Sequence, residues 1–462
     1  MNAKKLLFVS VSLLTCILLW GCRGDRMLDE PRLLPEPEEA SPSPLCYSVK
    51  DHVLTEDAIR LQATNLLSLL KDAPLRGGRR AVESITPIYG YDHKLRGGRE
   101  EEAPAPLLYV VNFTNNAGYT VLSADARLDP VWLLAPEGHL DIDQAPDNPT
   151  FLMLMQQLEL AYNLKRYKMI EAKKIPTGEE EEAIKGATPS PYYEYGPWKH
   201  IPEEKYESLI PVVWGQTDDP YSRFINPKIS KHAGCVTAAV AQIMAFHRYP
   251  CSYNWPEMLK HRPLSNPGFD YDNEDARNEI GRLYRQLGIS LKVRYKPEGS
   301  PAHSEDVPNT FRAFGYTNGG CLRGFSLPAI QNDLRRAPGK GYPVYISACD
   351  SMFVRYKHFL WWKWKKVSYG SGHAFVIDGV SKARREVRKF DGSTHKELAR
   401  YYETVDLLHA NLGWNDAYHN GYYNKDIFDT NNAPLLRSMS KSVYGEKDVY
   451  RYNFKIITGI RP

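Results

Sequence analysis

Two rhythms of apolar positions run along the chain, and they segregate. Helical spacing, with apolar residues three to four apart, opens in LTEDAIRLQATNLLSLLKD, residues 54–72. Thr55 is an N-cap candidate there, and acids fill the first turn. The same rhythm predicts a long amphipathic helix in NPTFLMLMQQLELAYNLKRYKMIEAKK (148–174) and an alanine-rich one in KHAGCVTAAVAQIMAFHRYP (231–250). SEDVPNTFRAFG and LPAIQNDLRRA give two further helix signals. Strand patterns take over elsewhere. LLYVVNFTNNAGYTVLSAD (107–125) predicts a hairpin around Asn-Asn-Ala-Gly, and PVWLLAPEGHLDI continues that sheet. Strands also follow from YPVYISAC, HAFVIDGV, YYETVDLLHANLGW and VYRYNFKIITGI. Helices in one part and strands in another predict an α+β fold rather than a wound parallel sheet. No repeat of fixed period is present.

Polar stretches divide the pattern. Residues 1–22 read as a signal peptide: Lys4 and Lys5, an apolar run from Leu6 to Trp20, then Gly21-Cys22. The run is short for a membrane span. Leu19-Trp20-Gly21-Cys22 resembles a bacterial lipobox, which makes Cys22 the lipidation site and implies an exported protein held at a membrane. Ordinary secretion and an uncleaved anchor are the alternatives. Residues 23–45 are rich in Pro, Ser and charge and read as a flexible tether. Residues 46–173 make an N-terminal module of helix, small sheet and helix. Residues 174–204, with a four-Glu run, read either as a plain linker or as a cleavable activation segment. Residues 205–462 form the larger module.

Charge adds little. The net charge of +4 is weak, and no basic stripe interleaves with aromatics, which argues against nucleic acid as a partner. HFLWWKWKK (358–366) reads as a cleft loop, a membrane-interface contact or a solvated hairpin. Beyond Cys16, Cys22 and Cys235 the chain holds Cys46, Cys251, Cys321 and Cys349. Export permits disulfides among these four, and their spacing matches no zinc pattern.

Candidate chemistry centres on Cys235. Gly234 allows a tight turn into the helix, with Ser230 or His232 as candidate caps. A thiol at a helix N-terminus sits where the dipole and the orphan amides stabilise thiolate. Cysteine is also a common small buried hydrophobe, so a base is required to favour catalysis. His373 follows Gly-Ser-Gly at the start of an apolar strand, and Asn411 ends another strand. An amide can hold an imidazole without taking its proton, and Trp414 is placed to shield that bond. His373 lies 138 residues after Cys235 and Asn411 lies 176 after it. Papain-like proteins place these groups about 130–150 residues after the nucleophile. The charged insertion SKARREVRKFDGSTHKELARYY accounts for the longer second gap. Gln216, 19 residues before the thiol, is a candidate oxyanion donor. His232 is near enough to perturb the thiol. His247 reads as structural, about 18 Å along the helix.

WGQTDDPY, GCVTAAVAQIMAFHRYP, GHAFVIDGV and NLGWNDAYHNGYY, in that order, resemble the streptopain family of papain-like cysteine proteases, peptidase family C10. The resemblance covers about residues 205 to 430. LLYVVNFTNNAGYTVLSADARLDPVWLLAPEG resembles that family's inhibitory propeptide. It implies a papain-like fold behind a small α+β propeptide domain, and a zymogen that cleaves peptide bonds through a thioester. By resemblance Cys235 is the nucleophile, His373 the base, Gln216 the oxyanion donor and Asn411 the ring orienter, with Trp414 nearby. Protein or peptide substrates and the chain's own propeptide are the implied partners, with no metal or cofactor. The family's Asn-Trp-Gly-Trp-Gly-Gly is here Asn411-Leu412-Gly413-Trp414-Asn415-Asp416. That departure leaves a non-catalytic binding or inhibitory relative as the rival reading. A cell-wall amidohydrolase is a further rival, against which the paired signatures weigh.

Overall fold

The structure is a computed structural model. It describes residues 47–49, 52–70, 80–89, 106–171 except 145, 191–261 except 207, 273–335, 341–350, 358–359, 362–363, 372–429 except 416, and 452–462. The signal segment with Cys22, the tether, Cys46 and residues 174–190 lie outside the described residues.

The N-terminal half begins with β1 (Tyr47–Val49) and α1 (Glu56–Leu66). Thr55 caps α1, its hydroxyl accepting from the Ala58 amide at 3.3 Å. Strands β2 (Val82–Ile88), β3 (Leu108–Phe113), β4 (Tyr119–Ser123) and β5 (Val131–Ala135) form an antiparallel meander. The β3–β4 turn places Asn115, Asn116 and Gly118 at positive φ, as Asn and Gly tolerate. Helix α2 (Pro149–Glu171) follows. The expected amphipathic stripe is not what it shows: Phe151 to Met155 are all buried, so its first turns are enclosed on every side.

The stretch expected to be linker ends in structure. β6 (Tyr192–Tyr195) pairs with β1, and both β6 and β7 (Lys199–Tyr206) pair with β12 (His373–Phe390). The larger module then supplies α3 (Cys235–His247), the short α4 (Trp255–Met258), α5 (Glu274–Ser290), α6 (Val307–Ala313) and α7 (Leu327–Leu334). β8 (Asn318–Gly324), β9 (Val344–Asp350), β13 (Glu397–Asn411), β14 (Gly421–Asn424) and β15 (Tyr452–Arg461) complete the sheet. β10 (His358–Phe359) pairs with β11 (Trp362–Lys363), so the backbone of the tryptophan-rich stretch includes a small antiparallel ladder.

The sheet order is β2-β3-β4-β5-β14-β13-β12-β9-β15-β8. The two expected modules therefore share one sheet, joined where Tyr422 and Tyr423 pair with Leu134 and Leu133. The charged insertion between His373 and Asn411 is no loop. It prolongs β12 and β13 into a hairpin paired from Val376–Asn411 out to Phe390–Glu397. Its far part buries Ala383, Val387 and Val405 in one core with Ile59, Leu66 and Trp198. Within that core Arg385, 2 % exposed, stacks on Tyr195 and Trp198 at 4.3 and 4.7 Å and pairs with Glu403 at 2.6 Å. A buried guanidinium is tolerable because the carboxylate and the two rings replace its water.

Among the described residues Cys251 and Cys321 are exposed thiols outside any disulfide, and Cys235 is a half-buried thiol. No helix among the described residues is long and apolar enough to cross a membrane.

Candidate active site

Helix α3 carries Val236, Val240, Ile243 and Met244 into a core of its own with Trp214, Tyr284, Ala374 and Val376. The small alanines let it lie close against β12. Its start is set by Gly234, at φ 94°, where a Cβ would come within 2.4 Å of the Ser300 carbonyl oxygen. Only glycine fits that approach and that φ. No side chain caps the helix. Ser230, offered above as a cap, instead accepts from the His232 amide at 3.0 Å, and Ser300 donates to the His232 carbonyl at 2.5 Å. The first-turn amides thus remain for a thiolate or an oxyanion at Cys235.

Gln216 lies beside this turn because main chain zips the two segments together. Ala233 N–H donates to the Gln216 carbonyl at 2.7 Å, Thr217 bridges to His232, and Asp218 N–H donates to the Lys231 carbonyl at 2.9 Å. The Gln216 side chain is 7 % exposed, and its Nε2 has no hydrogen-bond partner among the described residues. A buried amide donor without an acceptor is costly unless something arrives to use it.

His373 opens β12, paired with Ala348 of β9. Burial lowers its pKa from 6.5 to about 4, so the imidazole is neutral near pH 7. The pleat sends Ala374 and Val376 into the α3 core, and Phe375 and Ile377 into the other. Parity along the strand puts position 373 in the Phe375 row. The structure brings the segments of Cys235 and His373 to one end of the α3–β12 contact.

Asn411 pairs with Val376 and so faces α3. It is 2 % exposed, and its partners are not His373. Nδ2 donates to the Val212 carbonyl at 2.9 Å, while Oδ1 accepts from Gln242 Nε2 at 3.1 Å and from the Gly413 amide at 3.3 Å. Trp414 does not shield an Asn–His bond either; its indole donates to Thr150 Oγ1 at 2.9 Å, in the first turn of α2. Beside it Phe151 stacks on His419 at 4.2 Å, and the Tyr119 hydroxyl meets His419 Nδ1 at 3.2 Å. The loop after Asn411 is thus packed against the N-terminal module.

The departures from the expected motif have local reasons. Leu412 is 1 % exposed in the core shared with α2. Asn415 holds φ 61°, a conformation asparagine tolerates better than most residues, and its Oδ1 accepts from the Tyr221 hydroxyl at 2.5 Å. Sequence reasoning missed that bond and missed Gln242, the one amide side chain among the alanines and aliphatics of α3. His247 ends α3 against the Tyr316 hydroxyl at 3.2 Å, and its burial lowers its pKa to about 3.

A thiol at an uncapped helix start, packed against an antiparallel sheet that carries a histidine at a strand end, defines a papain-like cysteine peptidase. Comparison with known proteins agrees. Residues 214–423 match the Peptidase C10 family. Streptopain of Streptococcus pyogenes serotype M1 is 23% identical over 342 residues, 67% of this chain and 75% of that protein. The thiol protease/hemagglutinin PrtT of Porphyromonas gingivalis is 21% identical over 421 residues, 82% of this chain and 40% of that one. A prointerpain A fragment of Prevotella intermedia superposes with a TM-score of 0.46 at 17% identity, covering 77% of this chain and 96% of the fragment. Over residues 214–423 the chain is similar to the C10 family, and it resembles the streptopain-like cysteine endopeptidases.

Proposed function

We propose that the chain is the precursor of an exported, lipid-anchored endopeptidase in which Cys235, His373, Gln216 and Asn411 do the chemistry. The Cys235 thiolate attacks the scissile carbonyl, and the developing oxyanion is held by the Cys235 amide and Gln216 Nε2. His373 protonates the leaving amine, then draws a proton from water as that water hydrolyses the thioester. The observation that carries this reading is the buried, unemployed Gln216 amide, fixed by main-chain bonds two residues from the thiol.

Residues 46–173 act as the inhibitory domain. In support, α2 engages Trp414 and the His419 loop. Cys22 anchors the precursor through the 23–45 tether, and cleavage within 174–204 activates it.

The test is to incubate residues 23–462 alone and as Cys235→Ala, following the N-terminal module by gel and Cys235 by a thiol-directed epoxide. Self-processing, labelling and casein cleavage only with the thiol present are expected. Muropeptide release in place of casein cleavage, or no labelling after the module is removed, overturns the reading.

A further inference from the structure

Two buried serines, far apart in sequence, meet on the chain just before the nucleophile. Ser230 is 2 % exposed and Ser300 8 % exposed, and their hydroxyl oxygens lie 3.2 Å apart. Ser300 arrives on the loop after α5, closed at its base where the Arg294 amide donates to the Pro301 carbonyl at 3.1 Å. Both hydroxyls engage the main chain of His232. Its N–H donates to Ser230 Oγ at 3.0 Å, and its carbonyl accepts from Ser300 Oγ at 2.5 Å.

A hydroxyl has one proton to give. Ser300 gives its proton to the His232 carbonyl, so between the two hydroxyls Ser230 is the donor. The bonds form a ring: His232 N–H to Ser230, Ser230 to Ser300, and Ser300 to the His232 carbonyl. That carbonyl belongs to the peptide unit between residues 232 and 233, which is planar. The other end of the same plane is the Ala233 N–H, which donates to the Gln216 carbonyl at 2.7 Å. One flat unit is therefore held at its oxygen by Ser300. Through its nitrogen it holds Gln216, whose buried Nε2 has no hydrogen-bond partner among the described residues. Gly234 packs against the Ser300 carbonyl oxygen, so residue 300 grips this turn with side chain and main chain alike.

Resting on the reading of Gln216 as an oxyanion donor, we propose that Ser300 is a positioning residue for that donor, with Ser230 as its support. The ring fixes the tilt of the 232–233 peptide, and that tilt fixes the Gln216 main chain. The main chain in turn sets where Nε2 stands relative to the Cys235 thiol. Without the Ser300 hydroxyl, the His232 carbonyl keeps only the longer contact from Ser230, at 3.3 Å, and the plane is freer to turn.

The experiment uses Ser300→Ala, Ser230→Ala and the double variant. Each is made in the full chain, alone and together with Gln216→Ala, and processed in trans by immobilised parent enzyme. The readouts are kcat and KM on a peptide substrate, the pH profile of Cys235 alkylation by iodoacetamide, and a thermal melt. Alkylation displaces iodide at a saturated carbon and builds no oxyanion, so it reports the thiolate alone. Ser300→Ala is expected to lower kcat about tenfold, a fraction of the roughly 10²–10³-fold that follows from losing a donor outright. Ser230→Ala should lower it less and the double variant more, with KM and the alkylation profile unchanged. In the Gln216→Ala background the added loss should shrink to under about twofold, because the donor being positioned is gone.

An unchanged kcat in Ser300→Ala overturns the inference, and a melting temperature lowered at that kcat leaves the serines as packing residues. A fall in alkylation that matches the fall in kcat overturns it too, because the serines then act on the thiolate. So does an undiminished loss in the Gln216→Ala background. Should Ser300→Ala fail to accumulate, Ser230→Ala decides by the same readouts. Failure of the underlying reading looks different, because Gln216→Ala by itself would then leave kcat unchanged.

Discussion

The two halves of the candidate site are built differently. The Cys235–Gln216 half is held by main chain: Gly234 under the Ser300 carbonyl, the Ala233–Gln216 bond and the bridge from Thr217 to His232. The His373–Asn411–Trp414 half sits at the near ends of β12 and β13, whose far ends clasp the N-terminal module. Its side chains are employed elsewhere, Asn411 by Gln242 and Val212, Trp414 by Thr150. Under the proposed function, the difference points to the strand ends rather than the nucleophile as the place where the N-terminal module would act.

The sharpest way to break that comparison is at Gln216. If the oxyanion half is complete before activation, Gln216→Ala should lower kcat of the processed enzyme by about 10²–10³-fold with little change in KM or melting temperature. A loss confined to KM would remove Gln216 from the transition state. Next in size is Arg385→Ala, which strips the partner from Glu403 and empties the space between Tyr195 and Trp198. The expected cost to the precursor is about 2–3 kcal/mol by urea unfolding. Limited proteolysis of the N-terminal module should quicken, while epoxide labelling of the already processed enzyme stays unchanged.

Acid tests the strand-end half through His419 and His373. Burial lowers both from 6.5 to about 4. The unfolded chain takes these protons near 6.5 and the folded chain only near 4. Their contribution is therefore complete above about pH 6.5 and is lost as the pH falls toward 4. Each histidine removes on the order of 1–2 kcal/mol, allowing for its partial contact with water. Glu159 on α2 runs the other way, because burial raises it from 4.5 to about 7 and its protonation on acidification relieves the fold. Melting curves from pH 7 to pH 4 should fall less steeply in His419→Gln than in the parent. Parallel curves would place His419 outside the junction's acid response.

Much of this was legible in the sequence, and the exceptions share a cause. Local signals held: Thr55 capping α1, the Asn-Asn-Ala-Gly hairpin, the glycine before Cys235 and the histidine at a strand start are all decided within a few residues. What failed depended on distant partners. The stretch around Tyr192–Tyr206 is charged and proline-bearing, and only pairing with β12 makes it strand. The insertion after His373 carries charge at alternate positions because one face is solvated, while Ala383 and Val387 of the other are buried. Gln242 among alanines reads as a neutral helix former until Asn411, 169 residues on, is seen to face it. Helix α5 went unread because its polar residues outnumber the apolar stripe of Ile280, Leu283, Tyr284 and Leu287.

The smallest effect is expected at Asn415, where the sequence departs from the family motif. Its backbone at φ 61° suits glycine as well as asparagine, so Asn415→Gly removes a side chain without backbone strain. What it loses is the Tyr221 bond, which ties the loop after Asn411 to the segment carrying Gln216. A hydrogen bond of this kind contributes about 1 kcal/mol, and Tyr221 itself is only 1 % exposed. The net shift in the precursor should stay at about 1 kcal/mol, with kcat of the processed enzyme within about twofold of the parent. A tenfold fall in kcat at unchanged stability would mean that the Tyr221–Asn415 tie carries register between the halves.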